Sequence, residues 1–255
     1  LVACYQQLER YGDAEAFLLD KVKDSYAFPT FFIELGYNYT LMDQPEQASE
    51  FYQKAIQKIE ENPNFGYALG YRFQKYALLD EAITAYTKAM SLKPELNYDF
   101  QLARIYGEKG DIEKMYQSYL RLIYEGKTSR ANVLRNLDDF ITDDPSNTNN
   151  SPLGKTLLVT AQKNPDVLWN ELLSWLFIQQ NQYKSAFAQE KAIYKRTGET
   201  SLDRLANLGE IALENNNQET AIDAFAFIVD NASQPKTKLR GELQLIDIDL
   251  MKAKG

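Results

Sequence analysis

The sequence predicts an all-α protein, an array of antiparallel helical hairpins following one another along the chain, and three observations carry that prediction. A leucine followed by a small residue recurs at Leu1, Leu35, Leu69 and Leu102, spaced 34, 34 and 33 residues apart, and resumes in the same register at Leu173 and Leu208. Around these marks the apolar residues fall at i, i+3, i+4 and i+7, the face of an amphipathic helix rather than the alternation of a strand. Short polar breaks rich in Gly, Asn, Asp and Pro separate the periodic runs, and those residue types end and cap helices.

The register can be followed position by position. One residue after each leucine stand Val2, Gly36, Gly70, Ala103, Ser174 and Gly209, small in five of the six. Three further on come Tyr5, Tyr39, Phe73, Tyr106, Phe177 and Ala212. Twelve after the small residue are Ala14, Ala48, Ala82, Met115, Ala186 and Ala221, then Leu18, Tyr52, Tyr86, Tyr119, Glu190 and Phe225. Small residues let two helix axes approach closely, and a ring from the neighbouring helix fills the gap left beside them. The two halves of a unit are parted by Met42-Asp43-Gln44-Pro45, Lys109-Gly110-Asp111 or Asn215-Asn216-Asn217, where Gly or Asn suits a left-handed cap and Asp or Asn caps the helix that follows. Pro29, Pro63, Pro94, Pro165 and Pro235 fall near the starts of new units, where a missing N–H costs little.

Three regions are expected: regular repeats over 1–125, a divergent helical hairpin with a polar loop over 126–165, and repeats over 166–255 that end in a lone helix. In the middle region Val133, Leu134, Leu137, Phe140 and Ile141 lie at helical spacing in a helix over 129–141, and Leu157, Leu158 and Ala161 in a second over 153–163. The final helix is expected over 237–254. The chain is read as starting and ending within a repeat, as a fragment of a longer protein would. Leu1-Val2-Ala3-Cys4 match a bacterial lipoprotein cleavage box, but no charged segment and apolar run precede them. The register gives Leu1, Val2 and Tyr5 ordinary packing roles and Cys4 that of a small buried hydrophobe.

This register resembles the tetratricopeptide repeat, a helix-turn-helix unit of 34 residues. Leu69-Gly70…Phe73…Ala82…Tyr86…Ala89…Pro94 is the best match and the unit over 29–62 is nearly as good. Met115 stands where the family has Ala, and Glu190 where it has an aromatic ring. The resemblance implies a right-handed superhelical solenoid and a protein that holds another molecule. In the family, the first helix of each unit lines a concave groove, and the corresponding inward positions include Ile33 and Tyr37, Tyr67, Tyr71 and Lys75, Phe100 and Arg104, and Trp175.

Composition narrows the function from the other side. Hydrophobic residues make up 44% and charged residues 25% of the 255, the ordinary balance of a soluble globular protein. The net charge of −8 disfavours nucleic acid and anionic membrane surfaces as partners, and no apolar run approaches the ~20 residues of a membrane span. One cysteine and no histidine exclude an internal disulfide, Cys/His zinc sites and His-based catalytic triads. The acidic stretch Asp138-Asp139…Asp143-Asp144…Asn147…Asn149 lacks the ligand spacing of a calcium loop and is expected to be a solvated loop. No metal, no cofactor and no catalytic activity are expected.

The partner-binding candidates are therefore Ile33, Tyr37, Tyr67, Tyr71, Phe100, Arg104 and Trp175, because Tyr, Trp and Arg combine apolar area with hydrogen-bonding heads at binding hot spots. The leading reading is a scaffold or adaptor that binds a peptide or protein in an aromatic-rich groove. The alternative is a carbohydrate- or small-ligand-binding helical-repeat protein, whose site would be a closed pocket with convergent polar groups. The inward positions hold few cations, which argues against the carboxylate clamp of chaperone adaptors. The compartment, cytoplasmic or periplasmic, stays open.

Overall fold

The computed structural model describes residues 1–24, 27–137, 140–144, 147–148 and 150–254. Those residues form helices joined by short turns, and no strand occurs among them. The chain divides into two units, Leu1–Leu122 and Ile123–Gly255. The first contains α1 (Val2–Gln7), α2 (Tyr11–Val22), α3 (Thr30–Leu41), α4 (Pro45–Glu61), α5 (Gly66–Lys75), α6 (Leu79–Leu92) and α7 (Asp99–Glu108), and α8 (Ile112–Tyr124) runs just past its end. The second contains α9 (Arg130–Leu137), α10 (Asn150–Lys163), α11 (Val167–Gln179), α12 (Tyr183–Thr197), α13 (Leu202–Glu214), α14 (Gln218–Asn231) and α15 (Pro235–Lys254).

Within the first unit α1 packs on α2, α3 on α4 and α5 on α6, and each hairpin stacks on the next through α2–α3, α3–α5 and α4–α6. In the second unit α11–α12 and α13–α14 are the hairpins, stacked through α12–α13 and α12–α14, with α15 against α14 and α10 against α11. The expected all-α array of antiparallel hairpins is what the chain forms.

A single turn geometry recurs at six of the helix–helix connections. Glu9, Asp43, Ala77, Gly110, Asn181 and Asn216 all have positive φ, between 55° and 75°. In each case the next residue donates its N–H to the carbonyl five residues back, as Leu78 does to Phe73 at 3.0 Å and Asn217 to Ala212 at 2.8 Å. This is the Schellman closure, which satisfies carbonyls that the end of a helix leaves open. Five of the six positions are occupied by side-chain-bearing residues, at a conformational cost that only glycine escapes.

Above the turn, small residues set the distance between the two helices. A Cβ added at Gly36 would lie 2.5 Å from the Tyr52 ring, at Gly70 2.5 Å from Tyr86, and at Gly209 2.8 Å from Phe225. In each pair the ring comes from the second helix, sixteen residues on. Tyr86 and Phe225 are fully buried and Tyr52 nearly so. The first unit's core gathers Leu35, Leu69 and Leu102 with Tyr52, Tyr86 and the register alanines Ala48, Ala82 and Ala89. The second gathers Ala186, Leu208, Ala212, Ala221 and Phe225.

Some sequence expectations are corrected. Ile33 is fully buried in the first unit's core, so it cannot present itself to a partner; its turn of α3 faces inward among the packed helices. Cys4 is exposed rather than buried, because α1 contributes no buried residue. The middle and final helices form close to their expected limits, as α9, α10 and α15. Of the acidic stretch, Asp138, Asp139 and Asn149 lie outside the described residues.

Two substitutions at one hairpin test this geometry in opposite directions. Gly70→Ala should destabilise by roughly 1–3 kcal/mol, since the added methyl overlaps a ring with no room to move. Ala77→Gly should stabilise by about 0.5–1 kcal/mol by relieving the left-handed backbone at the turn. Urea denaturation of both variants reads the two signs.

Candidate functional site

The sequence-predicted aromatic positions fall into three places. Tyr67 and Tyr71 lie one turn apart on α5, and Phe100 and Arg104 one turn apart on α7. Together with Gln74, Lys75 and Gln101 they line an open recess of about 400 Å³ in the first unit. Tyr37, on α3, lies outside that lining. Trp175 belongs to the second unit and lines a different recess.

The side chains that line the first recess rest on the hairpin packing described above. Gly70 admits the Tyr86 ring, whose phenol donates to Oε1 of Gln74 at 2.9 Å. Burial, reinforced by the neighbouring Tyr67, Tyr98 and Tyr71 phenols, pushes the Tyr86 phenol well above its ordinary value, so it stays a neutral donor. The Tyr98 ring packs 5.1 Å from Tyr86 and 6.1 Å from Tyr67. On this support Tyr67 and Tyr71 stand nearly parallel, 6.3 Å apart with 9° between their planes. They remain 49% and 60% exposed, high values for rings held in a fixed stack. Phe100 is half-buried, edge-on to Tyr119 at 6.1 Å, while Arg104 is exposed. Oε1 of Gln101 is buried without a hydrogen-bond partner.

Tyr37 is held differently. Its ring stacks on Tyr76, 3.8 Å apart with 13° between planes. The Tyr76 phenol donates to Glu34, which also receives the Arg72 guanidinium. Burial and then the Glu34 carboxylate raise the Tyr76 phenol far above its ordinary value. Tyr37 is thus half-buried against a hydrogen-bonded scaffold, with one face already covered. Sequence reasoning missed this arrangement, because Glu34 sits on α3, Arg72 on α5 and Tyr76 just past the end of α5, and the three share no motif.

The second unit's recess, about 270 Å³, is lined by Trp175 and Gln179 of α11, Arg130 of α9, and Arg204 and Asn207 of α13, among others. Its polar groups are largely used by one another. Ser174 donates to Glu190 at 2.5 Å, Arg204 donates to both Glu190 oxygens at 2.8 and 2.9 Å, and Glu171 accepts from Arg130. Ser174 and Glu190 occupy the register positions that elsewhere hold the small residue and the ring. The departure of Glu190 from the repeat was the sequence signal for this network, and Arg204 was not anticipated. Trp169 is core: it is buried, stacked 5.4 Å from Tyr124, and its indole N–H donates to the Asn164 carbonyl at 2.7 Å.

Glu190 is 3% exposed, so its charge depends on Arg204. Arg204→Ala should therefore cost about 3 kcal/mol by stranding a buried carboxylate. Adding Glu190→Gln in that background should recover much of the loss. Chemical denaturation of the single and double variants measures both changes.

Comparison with known proteins matches residues 30–57 to the tetratricopeptide repeat family; those residues run from the start of α3 well into α4. No curated protein matches the chain. Solved structures similar to it include PilW, described as a widely conserved type IV pilus biogenesis factor, at 16% identity, covering 83% of this chain and 97% of that one with a TM-score of 0.33. A tetratricopeptide repeat protein from Parabacteroides merdae is 14% identical, covering 96% of each chain, TM-score 0.33. PilF of Pseudomonas aeruginosa is 14% identical, covering 96% of this chain and 94% of that one, TM-score 0.28. Likenesses this remote carry no part of the argument, which rests on the matched segment and on the register. Residues 30–57 match the tetratricopeptide repeat, and the hairpins around them share the register of that segment.

Proposed function

We propose that this chain is a protein-interaction module whose first unit holds an extended peptide or protein segment in the recess between α5 and α7. Tetratricopeptide repeats generally serve as interaction scaffolds, and the observation that favours this recess is the Tyr67–Tyr71 stack. Two large rings, each about half exposed, stand nearly parallel beside an open hollow, and Tyr67 packs on the buried Tyr98–Tyr86 pair. Apolar rings immobilised before binding lose little entropy when a partner covers them, which is what makes such positions effective anchors. Phe100 extends the apolar wall and Arg104 closes it with a charged, planar head. Tyr37, half-buried against Tyr76, is a flanking element. Trp175 is a separate candidate within the second unit.

Catalysis has no part in this reading. Among the described residues no three His, Cys, Asp or Glu side chains gather as a metal site, and no helix is long and apolar enough to cross a membrane. A carbohydrate or small ligand would call for a pocket with spare polar groups. In the Trp175 recess the charged groups mostly satisfy one another, so the peptide reading is favoured.

Tyr67→Ala and Tyr71→Ala should each weaken binding of a protein partner by roughly thirtyfold, about 2 kcal/mol. Their melting temperatures should stay near that of the parent, because neither ring is core. Gln117→Ala, at an exposed position of α8, should bind as the parent does. Calorimetric titration of the three variants decides it: normal binding by both tyrosine variants, or unfolding of both, removes the recess from the function.

A further inference from the structure

We infer that the segment held between α5 and α7 is proline-rich, lying in the recess as a polyproline II helix with pyrrolidine rings against Tyr67 and Tyr71. This rests on the reading of the recess as the docking site and names the class of segment it selects.

The hydrogen-bonding groups of the recess point this way, because they are nearly all donors. Arg104 and Lys75 line it, are exposed and form no ion pair among the described residues; neither side chain can accept a hydrogen bond. Oε1 of Gln74 already accepts the Tyr86 phenol at 2.9 Å, which leaves the NH2 group of that amide to donate. Oε1 of Gln101 is buried, and no carboxylate lines the recess. The phenol oxygens of Tyr67 and Tyr71 are then the only accessible side-chain acceptors in the lining. An ordinary extended segment brings a backbone N–H with each residue and meets few partners for it here. A proline-rich segment brings carbonyls and few N–H groups. Its polar groups are therefore the complement of this lining, and the charged heads of Arg104 and Lys75 make the stronger kind of bond to its carbonyls.

The rings supply the second, independent observation. Tyr67 and Tyr71 stand 6.3 Å apart with 9° between their planes, and both are about half exposed. Polyproline II rises about 3.1 Å per residue with three residues per turn, so one side of the helix presents residues two apart at about 6.2 Å. A Pro-x-Pro sequence in that conformation can lay one pyrrolidine ring against each tyrosine. Proline fixes φ before binding, and α5 holds both tyrosines on one face, so neither side loses much freedom when they meet. Aromatic-lined grooves take polyproline II segments on the same physical grounds. A helix of this kind also needs an open trough rather than an enclosed pocket, which is what the recess offers.

The test is a selection of random dodecapeptides displayed on phage, panned on the full chain with Tyr71→Ala as the counter-target. Circular dichroism melting checks that this variant folds, and Tyr67→Ala takes its place if it does not. The expected result is enrichment of sequences carrying Pro-x-Pro or longer proline runs. Made as peptides with both ends blocked, these should lose about tenfold or more in affinity for Tyr71→Ala, and again when their prolines are replaced by alanine. Blocked decaproline should bind the parent chain in a calorimetric titration, and a blocked Gly-Ser decamer should not. Enriched sequences that lack proline but still need Tyr71 would overturn the proline specificity and leave the docking site standing. Sequences indifferent to Tyr71→Ala, or no enrichment over it, would overturn both. Decaproline binding no better than the Gly-Ser decamer would equally contradict the inference.

Discussion

Everything in this protein depends on how closely two helices of a hairpin can approach. Where Gly36, Gly70 or Gly209 sits on the first helix, the second helix lays a ring directly against its backbone. That single contact fixes the spacing of the pair, and the same ring then faces the next hairpin as part of the core. In the α5–α6 hairpin it does more. Tyr86 lies on Gly70, supports Tyr98 and fixes Gln74 through its hydroxyl, and Tyr67 and Tyr71 stand on that base. The rings proposed to meet a partner are thus held by the contact that builds the fold, and their exposure follows from the register rather than from a loop that could move.

The fold was legible because this contact repeats. A pattern of leucine, small residue and ring at a fixed period states both helices and their pairing, and α3 to α6 follow it closely. The turns were less legible. Gly110 and Asn216 announce a left-handed residue, whereas Ala77 and Glu9 adopt the same backbone with no compositional sign, because closure of the hairpin imposes it on whichever residue occupies that place. Ile33 failed as a site residue for a related reason. An inward position on the first helix reaches solvent only where the neighbouring hairpin leaves space, and beside Ile33 it does not. Cys4 failed in the opposite sense, since a residue on α1 has too little packed against it to be covered.

The candidate site was partly legible. Tyr67, Tyr71, Phe100 and Arg104 were expected to act together and do line one recess, while Tyr37 is turned against Tyr76 and Trp175 lies in the other unit. What sequence could not supply were contacts between side chains far apart in the chain: the Glu34–Arg72–Tyr76 cluster behind Tyr37, and the Arg204 that completes the Ser174–Glu190 pair. The latter shows how the repeat tolerates exchange of its central contact. A ring against glycine becomes a carboxylate against a serine hydroxyl, and a third residue from the next hairpin neutralises the charge that the exchange buries.

The most direct test of the small-residue and ring contact is a double-mutant cycle between positions 70 and 86, read by urea denaturation of the parent, Gly70→Ala, Tyr86→Leu and the double variant. If the Tyr86 ring against Gly70 sets the hairpin, Gly70→Ala should cost little once the ring is gone, and the cycle should return a coupling of about 1–2 kcal/mol. Additive losses, with Gly70→Ala equally costly whether or not Tyr86 is present, would show that the two residues do not meet and would contradict the account.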